Sequence, residues 1–135
     1  MHMSFNTADA AEKLAADVRA VAARTFVPRT VTRLTGGIRL HPLEYSPDVE
    51  TLYGMAERAA AAIGGYRLRR NRAKGASEAG FTSSVLGIPS ICSMGPEGAE
   101  PHSPREYLTV STVLPRCKIL ALTALQAARA FPARD

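Results

Sequence analysis

The groups in this chain that could hold a metal or move a proton are few. Its 135 residues include three histidines, two cysteines and twelve acidic side chains. His2 sits in a Met-His-Met start, which leaves His41 and His102 as candidate ligands or bases. A single imidazole does not make a zinc site, because zinc takes three or four protein donors, and nucleophilic catalysis would require a serine or cysteine partner placed by the fold. Taken alone, either histidine also fits a purely structural role. Cys92 and Cys117 are too few for a disulfide framework and lack C-x-x-C spacing, so they are expected as small buried hydrophobes. The seventeen basic residues behind the net charge of +5 spread along the chain apart from one cluster, Arg67, Arg69, Arg70, Arg72 and Lys74. Such a cluster could bind a polyanion, but no aromatic residues interleave with it as stacking platforms, and a solvated strand edge and loop is the plainer reading.

The elements that must position these groups read as one α/β domain of ordinary size. A hydrophobic content of 46% supports a moderate core. No signal peptide or membrane span is visible, so a soluble, cytoplasmic protein is expected by default. Thr7 to about Arg24 is amphipathic, with Leu14, Val18 and Val21 at helical spacing and Asp9 and Glu12 near its start. Arg29 to Leu34 is rich in β-branched residues and runs into Gly36-Gly37, which predicts a strand and a turn. Ser46-Pro47-Asp48 combines a capping serine, a proline suited to the first helical position and an acid that complements the helix dipole. The helix it opens carries Leu52, Met55, Ala56, Ala59 and Ile63 on one stripe and stops at Gly64-Gly65. Tyr66 to Arg70 and Pro89 to Met94 are further strand candidates, separated by a small-residue loop and a short helix ending near Gly87. A last helix from about Ser111 to Phe131 displays Leu114, Ile119, Leu122 and Leu125. The predicted order is α-β-α-β-α-β-α.

One stretch is more specific than any of these. Gly87-Ile88-Pro89 begins an apolar strand, Gly95-Pro96-Glu97-Gly98 forms a loop, and His102-Ser103-Pro104-Arg105-Glu106-Tyr107 precedes the last helix. In this order these motifs closely resemble the C-terminal part of the dinuclear zinc hydrolases that include aminoacylases, acetylornithine deacetylases and glutamate carboxypeptidases. The resemblance covers nearly the whole chain. It implies that His102 binds one of two zinc ions, and that Glu106 acts behind it in orienting the loop, although a helix-capping charge is the plain alternative for Glu106. Arg39, in Gly36-Gly37-Ile38-Arg39, resembles the arginine that grips a substrate carboxylate, a task that suits a planar guanidinium; a surface arginine beside a turn is the alternative. Gly75 and Ser77 match a turn that lines the substrate cleft, although Lys74, Glu78 and Gly80 depart from the usual Gly-Gly-Ser-Asp-Ala-Asn pattern.

The implied fold class is α/β, a fragment of a helix-flanked sheet from the C-terminal half of the catalytic domain, with residues 1–40 left from a lid or dimerisation lobe and 41–135 from the catalytic domain. The implied reaction is zinc-dependent hydrolysis of an N-acyl amino acid or peptide amide bond, and the lid lobe implies a homo-oligomer. The His-x-Asp and Glu-Glu motifs that carry most ligands and the general base in these enzymes do not occur here. A partial hydrolase, inactive alone, is therefore expected, with no catalytic residue assigned on this chain. Two other classes remain open. One is an interaction module that uses exposed sheet edges; the other is a basic nucleic-acid binder built on Arg67 to Lys74.

Overall fold

The computed structural model describes residues 3–71 and 77–131. Thr7 opens the first helix, α1 (Ala8–Ala22), its hydroxyl accepting from the backbone N–H of Ala10 at 3.2 Å. Ser46 does the same for α2 (Pro47–Ala62), accepting from Val49 at 3.2 Å, with Pro47 in the first turn and Asp48 and Glu50 beside the positive end of the dipole. Gly64 and Gly65 then take positive φ, 104° and 76°, and turn the chain away from α2. Two short strands follow later, β1 (Gly98–Ala99) and β2 (Tyr107–Leu108), paired antiparallel with Gly98 opposite Leu108 and Ala99 opposite Tyr107. One 3₁₀ turn, Val110–Thr112, leads into the last helix, α3 (Val113–Ala130). The chain is thus α/β, helices with a two-stranded sheet.

Two compact units divide it, each drawn from two separate stretches. The first comprises Met1–Glu44 and Arg72–Ser90, the second Tyr45–Asn71 and Ile91–Asp135. In the second unit α2 and α3 pack together. Ala59 and Ala60 meet Ile119 with essentially no exposure, and Ile63, Tyr66, Leu68 and Met94 cover this cluster. Two alanines on α2 let the helices approach closely, so one isoleucine fills the space between them. The first unit is held differently. Within it, a single π-helical turn, Phe81–Val85, rests on the backbone of His41 and Pro42: a Cβ on Gly80 would lie 1.9 Å from the His41 carbonyl oxygen. Only glycine permits that approach. Ser84 donates to the Pro42 carbonyl, and the Glu44 carboxylate accepts from the first N–H of α1, that of Ala8, at 2.6 Å.

Several expectations from the sequence require correction. Arg29–Leu34, Tyr66–Arg70 and Pro89–Met94 form no ladder among the described residues. Tyr66 to Arg69 still alternates in burial, Tyr66 and Leu68 towards the helices and Arg67 and Arg69 towards solvent. The pattern of a strand is present and the hydrogen-bonding neighbour is not, because a strand exists only through a partner that local sequence does not specify. Cys92 and Cys117 are exposed rather than buried. Of the four apolar residues read on the last helix, only Ile119 is core; Leu114 and Leu125 are each 62% exposed. The short helix before Gly87 is one wide turn, in which Leu86 N–H reaches back to the Phe81 carbonyl at 3.3 Å.

Candidate functional site

The loop that carries His102 is closed at its base by the β1–β2 pair, so residues 100–106 project as a seven-residue excursion. Three features of sequence make the closure possible. Gly98 has no side chain where a Cβ would meet the Tyr107 carbonyl oxygen at 2.3 Å. The pairing continues past the sheet through Thr109 N–H, which donates to the Glu97 carbonyl at 2.7 Å. The Glu97 N–H donates in turn to the Thr112 hydroxyl at 2.9 Å, tying the loop to the start of α3. Within the excursion, Ser103 caps the turn: its hydroxyl accepts from Arg105 N–H and its carbonyl from Glu106 N–H, each at 3.1 Å. Arg105 reaches across to Glu100 at 3.2 Å, an exposed pair that helps to define the loop without adding much stability.

His102 sits at the tip with φ of 64°, and Glu100 shares this left-handed geometry at 59°. Histidine tolerates such a backbone better than most residues, yet it still costs of order 1 kcal/mol, and residues held this way concentrate at sites of function. The imidazole is exposed. Glu106, four residues on, is exposed too and lines a shallow depression of about 320 Å³ with Pro96, Gly98, Pro101 and Tyr107.

A cluster that the sequence did not announce stands behind this loop. The Tyr66 hydroxyl donates to the Glu97 carboxylate at 2.5 Å, while the Arg116 guanidinium lies over the Tyr66 ring, 5.3 Å from its centroid. Arg116 Nε is buried with no hydrogen-bond partner among the described residues. The carboxylate beside Tyr66 raises that phenol above its ordinary value, because ionising it would break the hydrogen bond and set two negative charges together. Glu97 stands between Pro96 and Gly98 in the loop, and its role could be read only once Tyr66, 31 residues earlier in the chain, was seen beside it.

The remaining site residues belong to the first unit. Arg39 is exposed and makes no ion pair among the described residues. Ser77 is half-buried, and its hydroxyl accepts from Ala79 N–H at 3.2 Å, so it caps the turn that Gly80 seats. Gly75 and Lys74 lie outside the described residues. His41 turns its ring edge-on to Phe81, centroids 5.7 Å apart, a packing role. In the basic cluster, Arg70 is engaged by both oxygens of Glu50 and stacks 4.4 Å over Tyr53, while Arg67 and Arg69 face solvent.

Zinc needs three or four donors from nitrogen, sulfur or carboxylate. Among the described residues no group of three or more histidine, cysteine, aspartate or glutamate side chains is placed to hold a metal ion. His102 and Glu106 by themselves do not complete such a site. No helix of the described residues is long and apolar enough to cross a membrane.

No curated protein and no solved structure matches the chain. The model of peptidase family M20/M25/M40 matches residues 7–126, a span that takes in α1, the Gly80 turn, the His102 loop and most of α3. The match covers well over half of the sequence, and this chain belongs to peptidase family M20/M25/M40.

Proposed function

We propose that this chain is part of a zinc-dependent amidohydrolase of the aminoacylase, acetylornithine deacetylase and glutamate carboxypeptidase type, whose substrate is an N-acyl amino acid or a peptide. The observation that carries the reading is His102. An exposed imidazole is held at the tip of a closed loop, in a left-handed backbone, within the motif that supplies a metal ligand in such enzymes. Residues 1–40 correspond to a lid lobe and 41–135 to the catalytic domain. Arg39 would pair with a substrate carboxylate through its fork of N–H donors, Gly75 and Ser77 would present backbone groups to the substrate, and Glu106 would orient the His102 loop. The family chemistry uses two zinc ions, which would polarise the amide carbonyl and activate water. On this reading the chain contributes His102, takes its further ligands from elsewhere and is inactive alone, a reading supported by the lack of His-x-Asp and Glu-Glu motifs in its sequence. The setting is cytoplasmic.

Elemental analysis after purification with zinc present, in parallel with His102→Ala, tests this. The expected result is no zinc above the level of the variant. About one zinc per chain, lost in the variant, would mean that this chain completes a site by itself and would overturn the dependence on outside ligands.

A second reading, an interaction module forming a homo-oligomer, is favoured by one observation: large apolar side chains such as Val110, Leu114 and Leu125 stand 62–78% exposed. Nucleic-acid binding at Arg67 to Lys74 has less support, because Arg70 is already committed to Glu50 and Tyr53.

A further inference from the structure

α3 is apolar on two opposite faces, and only one of them is used. Thr112, Ile119 and Thr123 define the face against α2, with Thr123 back-bonded to the Ile119 carbonyl at 2.7 Å. On the far side Leu114, Cys117, Ala121, Leu125 and Ala128 are all exposed. A helix that is apolar all round is ordinarily a buried helix. α3 carries no acidic residue, and its exposed cations, Lys118 and Arg129, lie to one side of this stripe.

The stripe has a symmetry of its own. Its spacings run three, four, four, three, so they read the same from either end, with Ala121 at the centre. When a second α3 is laid antiparallel over the first with the two Ala121 residues in register, Leu114 comes level with Ala128 of the copy, and Leu125 with Cys117. A large side chain meets a small one at each level, and the smallest pair lies at the two-fold axis, where helices approach most closely. Eighteen residues make a face about 27 Å long, and two such faces in contact bury roughly 1,000 Å², near the lower bound for a specific interface.

We infer that this outer face of α3 is a self-association surface and that its occupant is a second copy of this chain, antiparallel about Ala121. The inference rests on the association reading above and gives it a face and a register. The pairing gathers Lys118, Arg129 and their two symmetry copies along one edge of the interface, in a chain that already carries a net charge of +5. Association is therefore weak and strengthens as salt screens that repulsion. An acidic partner or a nucleic acid would give the opposite dependence.

Sedimentation equilibrium on the full chain, between about 0.05 and 0.5 M salt, tests it. A reversible monomer–dimer equilibrium, shifted towards dimer at the higher salt, is expected. Leu125→Lys should weaken it by about 30-fold or more, since a further cation would be buried beside those already gathered along that edge. As Leu125 is 62% exposed in the single chain, circular dichroism of this variant should remain unchanged. Independently, Ala121→Cys in a Cys92→Ser, Cys117→Ser background should oxidise to a covalent dimer, because only residues facing each other across the axis meet disulfide geometry. A chain that stays monomeric at all concentrations overturns both this inference and the association reading. A dimer that is indifferent to Leu125→Lys, and that the Ala121→Cys substitution fails to cross-link, overturns the α3 face alone.

Discussion

The two units of this molecule are held by different physics. In the second, a helix pair excludes water around Ala59, Ala60 and Ile119, and a polar tie of Tyr66, Glu97 and Thr112 is added at its rim. In the first, little apolar surface is fully buried; one glycine permits a close backbone approach, and hydroxyl and carboxylate bonds hold the segments that meet there. Burial is non-directional and tolerates repacking, whereas hydrogen bonds and close approaches depend on single atoms. The residues assigned to substrate, Arg39 and Ser77, lie in the polar-tethered unit. The residue assigned to metal, His102, rises from the unit with the packed core.

The contrast can be broken most decisively at Ile119. Ile119→Ala should cost about 3 kcal/mol, the transfer of the side chain plus the cavity it leaves, and lower the midpoint of urea unfolding accordingly. A cost below about 1 kcal/mol would mean that the helix pair closes over the gap and is not a specific core. Gly80→Ala is the matching experiment in the first unit. The added methyl must displace the His41 backbone, at a cost of about 1–3 kcal/mol, and the His41 ring protons should lose the ring-current shift imposed by Phe81. An unchanged His41 spectrum would show that the turn does not press on the His41 backbone.

The smallest effect lies at the rim. Because Glu97 raises the Tyr66 phenol, the protonated hydroxyl is the form that the fold favours. Its contribution to stability is present in full below about pH 10, the ordinary tyrosine value, and is lost as pH rises through the higher folded value. Ultraviolet titration should show late-ionising tyrosines, one of which Tyr66→Phe removes and Glu97→Gln shifts back down; a profile unaffected by Glu97→Gln would rule out the tie. Tyr53 is raised as well, first by its burial, which makes the Tyr66→Phe assignment necessary.

Much of the local structure was legible in advance. Ser46 was identifiable as a cap because its hydroxyl replaces a missing partner of the helix N-terminus, and Pro47 as a first-turn residue because it lacks an N–H that would go unused there. The stop at Gly64-Gly65 follows from the left-handed backbone that glycine adopts at little cost. The His102 motif was legible too, as a pattern matched to a family rather than as geometry. The strands were not. Tyr66 to Arg69 has the alternation of a strand, but its ladder depends on a neighbour that local sequence does not name.

What the sequence determined by itself is therefore whatever depends on neighbours along the chain: the three α-helices, the Ser46 cap and Gly64-Gly65 stop of the second, and the membership of His102 in a recognisable motif. The tertiary structure alone decided which apolar residues became core, placing Ile119 inside and leaving Leu114, Leu125 and both cysteines in water. It alone brought Tyr66 to Glu97 and the Gly80 turn to His41. The physical reason is range. Capping and helical periodicity act over three or four residues, whereas burial and the pairing of distant polar groups depend on which surfaces meet, and that is a property of the whole fold.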